Sequence, residues 1–225
     1  MFIITMSGFE KKWSLKLSKS ELMERFRFTD DLEKERCSLY LDLKGITYHI
    51  IIANHIGLDE DGRIKYKIVS DMSKYDKRLR NIIYKYISAF EEQIRGFIAN
   101  CYINNDETLI LTDKINKSLE NEGGNIALEL EELTFNELLN LVKDLSKDNL
   151  EKLFPNHNKH LADNLKAVRE LRNAISHHRL LLLYEEFENC YVGGKSDNDL
   201  TTNIKNLINL INDFYKNFLT SEINN

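Results

Sequence analysis

A single proline, Pro155, stands in a chain of 225 residues, so almost the whole sequence is open to uninterrupted helix. The apolar pattern uses that freedom. From Tyr75 to about Cys101, Leu79, Ile82, Ile83, Tyr86, Ile87, Phe90, Ile94, Phe97 and Ile98 recur at steps of three and four, which predicts one long amphipathic helix. A second is predicted from about Asp199 to Leu219 through Ile204, Leu207, Ile208, Ile211, Phe214, Tyr215 and Phe218, after a loop at Gly193-Gly194. Thr134 and Glu137 have capping-box spacing and open a third, carrying Leu138, Leu141, Val142 and Leu145. Pro155 then punctuates the chain. The segment from Asn158 to about Tyr184 places Leu161, Leu165, Val168, Leu171, Ile175 and Leu182 at helical spacing, a fourth predicted helix. The fold class is therefore mainly α, a helical bundle over residues 71–225.

The region from Gly45 to Val69 differs from the helical pattern. Ile46 to Ile52 is rich in β-branched residues, Asp59 to Gly62 has turn composition, and Arg63 to Val69 alternates polar with apolar. This pattern predicts a short β-hairpin.

Composition limits the function classes. A hydrophobic content of 42% supports a substantial core and argues against disorder. The net charge of -5 argues against a protein that coats nucleic acid nonspecifically, but not against a local basic site. Such a site is visible: acidic residues dominate from Glu120 to Glu151, whereas Lys159, Lys166, Arg169, Arg172 and Arg179 make the following stretch basic. Cys37, Cys101 and Cys190 form neither a disulfide framework nor a CxxC metal knuckle. The opening MFIITMSGF is interrupted too soon for a signal peptide, and no apolar run approaches the roughly 20 residues of a membrane span. A cytoplasmic protein without a membrane partner is expected.

The basic stretch contains RNAISHH, Arg172 to His178. Arginine, asparagine and histidine in an R-N-x-x-x-H pattern have the chemistry to cleave RNA without a metal or cofactor. Arginine stabilises the charge of the phosphorane, histidine moves protons, and the 2′-hydroxyl of the RNA is the nucleophile. On a continuous helix Asn173 and His177 share a face with Arg169 and Ser176 nearby, while Arg172 lies about 140° round from His177. Either the long arginine reaches back to the imidazole, or arginine and histidine from two subunits meet across a dimer seam. The bland reading of Arg172 and His177 is a solvated or capping role on a surface helix. His178 is expected to point toward the apolar face in a structural role. Arg169, Arg179 and Lys166 are candidate RNA-binding residues, with a plain solvated face the alternative. Glu91 and Glu92 lie on the long helix from Tyr75; solvent is their default, and an inward-facing glutamate would hold Arg172 or His177 by a charge-assisted bond.

Other chemistries fit less well. His157 and His160 lack a carboxylate or cysteine to complete a zinc set with His177 or His178, so no metal is expected. Ser176 beside His177 is not a dyad, because adjacent helical residues diverge by about 100°. The pairs Gly123-Gly124 and Gly193-Gly194 have no phosphate-loop lysine and read as loops.

The residues flanking the motif carry a family likeness. VRELRNAISHHRLLL resembles the Abi-like (abortive infection, AbiD/AbiF-type) branch of the HEPN superfamily, where an arginine pair leads into RN-x-x-x-HH followed by RL; Arg169, Arg172, Asn173, His177, His178, Arg179 and Leu180 match. Tyr75 to Ile98 is similar to that family's first long helix, with its D-x-x-LR opening and E-x-x-R near the middle. The likeness covers roughly residues 70 to 219; residues 1–70 match less clearly, which marks them as an N-terminal accessory region beside a HEPN-like helical domain over 71–225. Ser176 replaces a usual alanine, and Leu181 to Leu183 a more polar or aromatic run.

The resemblance implies a HEPN-type helical bundle that forms a homodimer, so that two motifs build one composite cleft for metal-independent RNA cleavage to 2′,3′-cyclic phosphate ends. It further implies a role in phage defence or toxin modules, with Arg172 and His177 catalytic and Asn173 orienting one of them or the phosphate. A regulatory noncoding RNA or an antitoxin protein is the expected restraint. Silencing through a tyrosine two residues after the histidine is not expected, because Arg179 stands there. The competing reading is a noncatalytic HEPN module that binds RNA or protein.

Overall fold

The computed structural model describes residues 13–56, 58–106, 110–121, 124–155, 160–183 and 200–224. The predicted loop at Gly193-Gly194, together with Gly123, His157, Tyr184 and Cys190, lies outside them. The chain divides into two compact units, Met1–Arg78 and Leu79–Asn225, and the division falls within one long helix, Tyr66–Ile103.

In the first unit, helix α1 (Lys19–Glu24) opens on a capping box between Ser18 and Glu21. It is followed by β1 (Phe26–Arg27), α2 (Asp31–Lys44), α3 (Ile46–Asn54), β2 (Ile64–Lys65) and the beginning of α4 (Tyr66–Ile103). Gly45 joins α2 to α3 with φ at +86°, a conformation that glycine adopts without steric cost.

The predicted hairpin is not formed. Ile46 to Ile52 lies within α3, and β2 pairs in parallel with β1, matching Phe26 to Ile64 and Arg27 to Lys65. The reason is burial: His49, Ile50, Ile52, Ala53 and Asn54 are all buried, so α3 is enclosed on most sides and tertiary packing overrides the β-branched preference. Its polar groups are satisfied locally. The ring of His49 bonds the carbonyl of Gly45, and Asn54 exchanges two hydrogen bonds with the backbone of Trp13. Around them the rings of Phe26, Phe28, His49 and Tyr66 pack together, Phe26 and Tyr66 with centroids 5.3 Å apart.

The second unit comprises the rest of α4, then α5 (Asp113–Leu119), α6 (Ile126–Glu131), α7 (Phe135–Lys143), α8 (Lys147–Leu153), α9 (Leu161–Ser176), a 3₁₀ turn (Leu181–Leu183), α10 (Leu200–Leu210) and α11 (Asp213–Asn224). The predicted α4 stripe forms the core: Ile83, Tyr86, Ile87, Phe90, Ile94 and Ile98 are fully buried. Phe90 stacks on Phe154 at 5.9 Å and meets the edge of Phe135 at 6.4 Å. Helix α9 packs Leu165, Val168, Leu171 and Ile175 into this core, lying chiefly against α10 and also against α7. The Thr134–Glu137 capping box opens α7 as predicted, and Pro155 follows the end of α8.

Two predicted helices are shorter than their apolar patterns. The Asp199–Leu219 helix is two, because Asn212 breaks it. Its amide N–H donates to Gln93 Oε1 of α4 and its own Oδ1 accepts from the Phe214 N–H, which restarts the chain as α11. Phe214 and Phe218 are consequently exposed rather than in the core stripe. The helix over Asn158–Tyr184 ends at Ser176, which decides the geometry of the motif. No helix among the described residues is long and apolar enough to cross a membrane.

Candidate functional site

Helix α9 stops in the middle of RNAISHH. His177 is its C-cap, and His178 follows in the left-handed region with φ at +53°. The His178 N–H donates to the carbonyl of Ile175 and the Arg179 N–H to that of Ala174, at 3.0 and 2.9 Å. These two bonds make a Schellman motif with His178 at the position usually held by glycine. Left-handed backbone costs a non-glycine residue about 1 kcal/mol, and histidine accepts it more readily than most. The predicted placement of both histidines on a continuous helix is therefore corrected, and the 140° separation of Arg172 from His177 no longer applies. His178 is exposed and does not point toward the apolar face. His177 is exposed beside it.

Arg172, still within α9, is held from two sides. Its Nε lies 3.5 Å from Glu91 Oε1 of α4, an ion pair rather than a full hydrogen bond at that length. Its guanidinium carbon sits 5.8 Å from the centre of the Phe135 ring, within cation–π range. Glu91 also faces Arg95, Oε2 to Nη2 at 3.7 Å, and the same Nη2 donates to the Leu133 carbonyl. One carboxylate thus lies between two guanidinium groups. Arg172 remains 34% exposed, so part of the cation is open to a ligand.

One helical turn earlier, Arg169 Nη1 donates to Asn136 Oδ1 at 2.9 Å. Phe135 and Asn136 are the first two residues of α7, so the capped start of one helix engages both arginines of another. Asn173 is half-buried, and its carbonyl accepts the His177 N–H. Lys166 is exposed and Arg179 half-buried. Glu92, next to Glu91, is exposed and lines a cleft of about 460 Å³ with Gln93, Gly96 and Asn212. Only Glu91 of the two lies against Arg172.

One further cation near the motif was not anticipated. Arg80, on α4, brings Nη1 to 3.2 Å from His178 Nδ1 across 98 positions of sequence. Phe135 and Asn136 were likewise missed, although they directly follow the legible capping threonine. Spacing along the chain carries no signal for any of the three contacts. Among the described residues, no three His, Cys, Asp or Glu side chains gather as metal ligands.

No family model, curated protein or solved structure matches the chain. The chemistry of the site thus rests on its own residues: a partly exposed, oriented guanidinium and an exposed imidazole at the end of the same helix. The first can stabilise a developing oxyanion, the second can transfer a proton.

Proposed function

We propose that the protein is a metal-independent endoribonuclease of the HEPN, Abi-like type, with Arg172 and His177 as the catalytic pair. The observation that carries this reading is the contrast between them. Arg172 is fixed by Glu91 and Phe135 yet remains 34% exposed, while His177 stands exposed at the cap of α9. Oriented charge and an accessible proton carrier are what cleavage by the 2′-hydroxyl requires.

In the proposed reaction the RNA 2′-hydroxyl attacks the adjacent phosphorus and the bond to the 5′-oxygen breaks, leaving a 2′,3′-cyclic phosphate and a 5′-hydroxyl. His177 transfers the protons, Arg172 stabilises the phosphorane, and Asn173 orients the phosphate or one of the pair. Lys166, Arg169 and Arg179 add positive charge along the strand. No contact joins Arg172 to His177 among the described residues. That separation supports the form of the proposal in which two copies of the chain pair and each cleft uses both motifs. Phage defence in the cytoplasm, under restraint by a noncoding RNA or an antitoxin, belongs to the same proposal.

The test is cleavage of single-stranded RNA by the purified chain in EDTA. Cyclic phosphate ends are expected, with activity abolished by Arg172→Ala or His177→Ala while helicity by circular dichroism is retained. RNA retained without cutting would instead identify a noncatalytic binding module, and activity surviving both substitutions would move the site elsewhere.

A further inference from the structure

We infer that Arg80 is a positioning residue of this site, a clamp that holds His178 and thereby fixes the turn presenting His177. The inference deepens the proposed ribonuclease reading and rests on it for its catalytic consequence. Its structural part stands on contacts alone.

Three observations converge on the clamp. His178 occupies the left-handed position of the Schellman motif, where glycine needs no assistance and any other residue is strained. Arg80 Nη1 lies 3.2 Å from His178 Nδ1, and the side chain comes from α4, the helix that also supplies Glu91 to Arg172. Finally, a guanidinium has donors only, so this hydrogen bond requires the lone pair on Nδ1. The acceptor is then Nδ1, and we assign the ring proton to Nε2.

The consequence is a division of roles between adjacent histidines. His178 has one nitrogen committed to Arg80 and serves as an anchor. His177, one residue earlier, is left to exchange protons with substrate. A single helix therefore orients both members of the pair: α4 holds Arg172 directly through Glu91 and His177 indirectly through Arg80 and His178.

The experiment uses the full chain, labelled with ¹⁵N in its histidine rings and assigned with a His178→Asn variant. Long-range ¹H–¹⁵N spectra read the tautomer of His178 directly, and amide exchange at His178 and Arg179 reads the integrity of the turn. In the wild type the Nε2–H form is expected. Arg80→Ala should mix the tautomers and speed exchange at both amides, whereas Arg80→Lys, which keeps a cationic donor, should retain most of the wild-type pattern. On RNA, Arg80→Ala should lower kcat about tenfold with KM within about twofold. In a His178→Gly background, where the turn needs no clamp, the same substitution should cost nothing further. A proton on Nδ1 of wild-type His178, or an equal loss of kcat in both backgrounds, would overturn the clamp. Absence of cleavage by the wild type would count against the ribonuclease reading alone, because the imidazole spectra and amide exchange decide the clamp without it.

Discussion

Arg172 Nε lies 3.5 Å from Glu91 Oε1, and the same carboxylate lies 3.7 Å from Arg95. A cation that would meet a phosphate in the proposed reaction is thus oriented from behind by a carboxylate on another helix. Glu91→Gln keeps the shape and removes the charge, so cleavage is expected to fall about tenfold. Stability should change by less than about 1 kcal/mol, since both partners are partly exposed and ion pairs of this kind are weak. Paired assays of RNA cleavage and urea unfolding check this, with Glu92→Gln as the silent control. Equal activity in the two variants would detach Glu91 from the site.

Thr134 caps α7, the helix whose first two residues meet Arg172 and Arg169. Its hydroxyl accepts from the Glu137 N–H while the Glu137 carboxylate accepts from the Thr134 N–H and hydroxyl. Those bonds hold the Glu137 carboxyl below its ordinary value. A depressed pKa contributes stability above the unfolded value and loses it as pH falls through the folded one. Loss of an N-cap threonine costs about 1 kcal/mol near neutral pH, and Thr134→Ala should cost less in acid, where the Glu137 carboxylate is protonated in both states. Urea midpoints at about pH 7 and about pH 3 measure the difference; an equal cost at both would remove the capping box as its cause.

Phe90 is the central ring of the larger unit, fully buried between Phe154 and Phe135. Phe90→Ala is expected to lower unfolding free energy by about 3–5 kcal/mol through lost transfer energy and the cavity left behind. Because Phe135 also underlies Arg172, RNA cleavage should fall as well, even at temperatures where the variant remains folded. Calorimetry and an activity assay on the same sample separate the two effects.

Cys37 should be silent toward alkylating reagents until the chain unfolds. Burial pushes its thiol up to about 12 from an ordinary 9.0, partly opposed by a hydrogen bond with Tyr66, whose phenol is raised mainly by its own burial. The thiol is therefore neutral in the folded protein at pH 8, and thiolate is the reactive form. Above pH 9.0 the unfolded thiol ionises and the folded one resists, so its contribution to stability is lost as pH rises toward about 12. Mass-spectrometric labelling at about pH 8, native against denatured, tests the first point. A flatter alkaline stability profile in Cys37→Ala tests the second.

The α4 stripe was readable because burial on one face imposes a period of three and four that no other structure reproduces. The cap at Thr134 was readable because its partners lie three residues apart. Periodicity failed at Asn212 and at His177, where apolar residues continue at helical spacing although the helix has ended. At Asn212 the cause is a hydrogen bond that its backbone N–H donates to Gln93, 119 positions away. At His177 it is a histidine accepting left-handed backbone, with Arg80 bonded to its ring. The hairpin prediction failed for a related reason: the β-branched residues of α3 are buried on most sides, and burial outweighs local preference.

By itself the sequence determined that the chain is mainly helical, where its principal core stripe lies, and that arginine, asparagine and histidine stand together in one basic stretch. Only the tertiary structure decided that α9 ends between the arginine and the histidine, that Glu91 rather than Glu92 faces Arg172, and that Arg80 meets His178. Helical period and capping are interactions between residues a few positions apart, so the order of the residues encodes them directly. The contacts that orient the candidate site join α4, α7 and α9 over dozens of positions, and they exist only once the apolar stripes have packed.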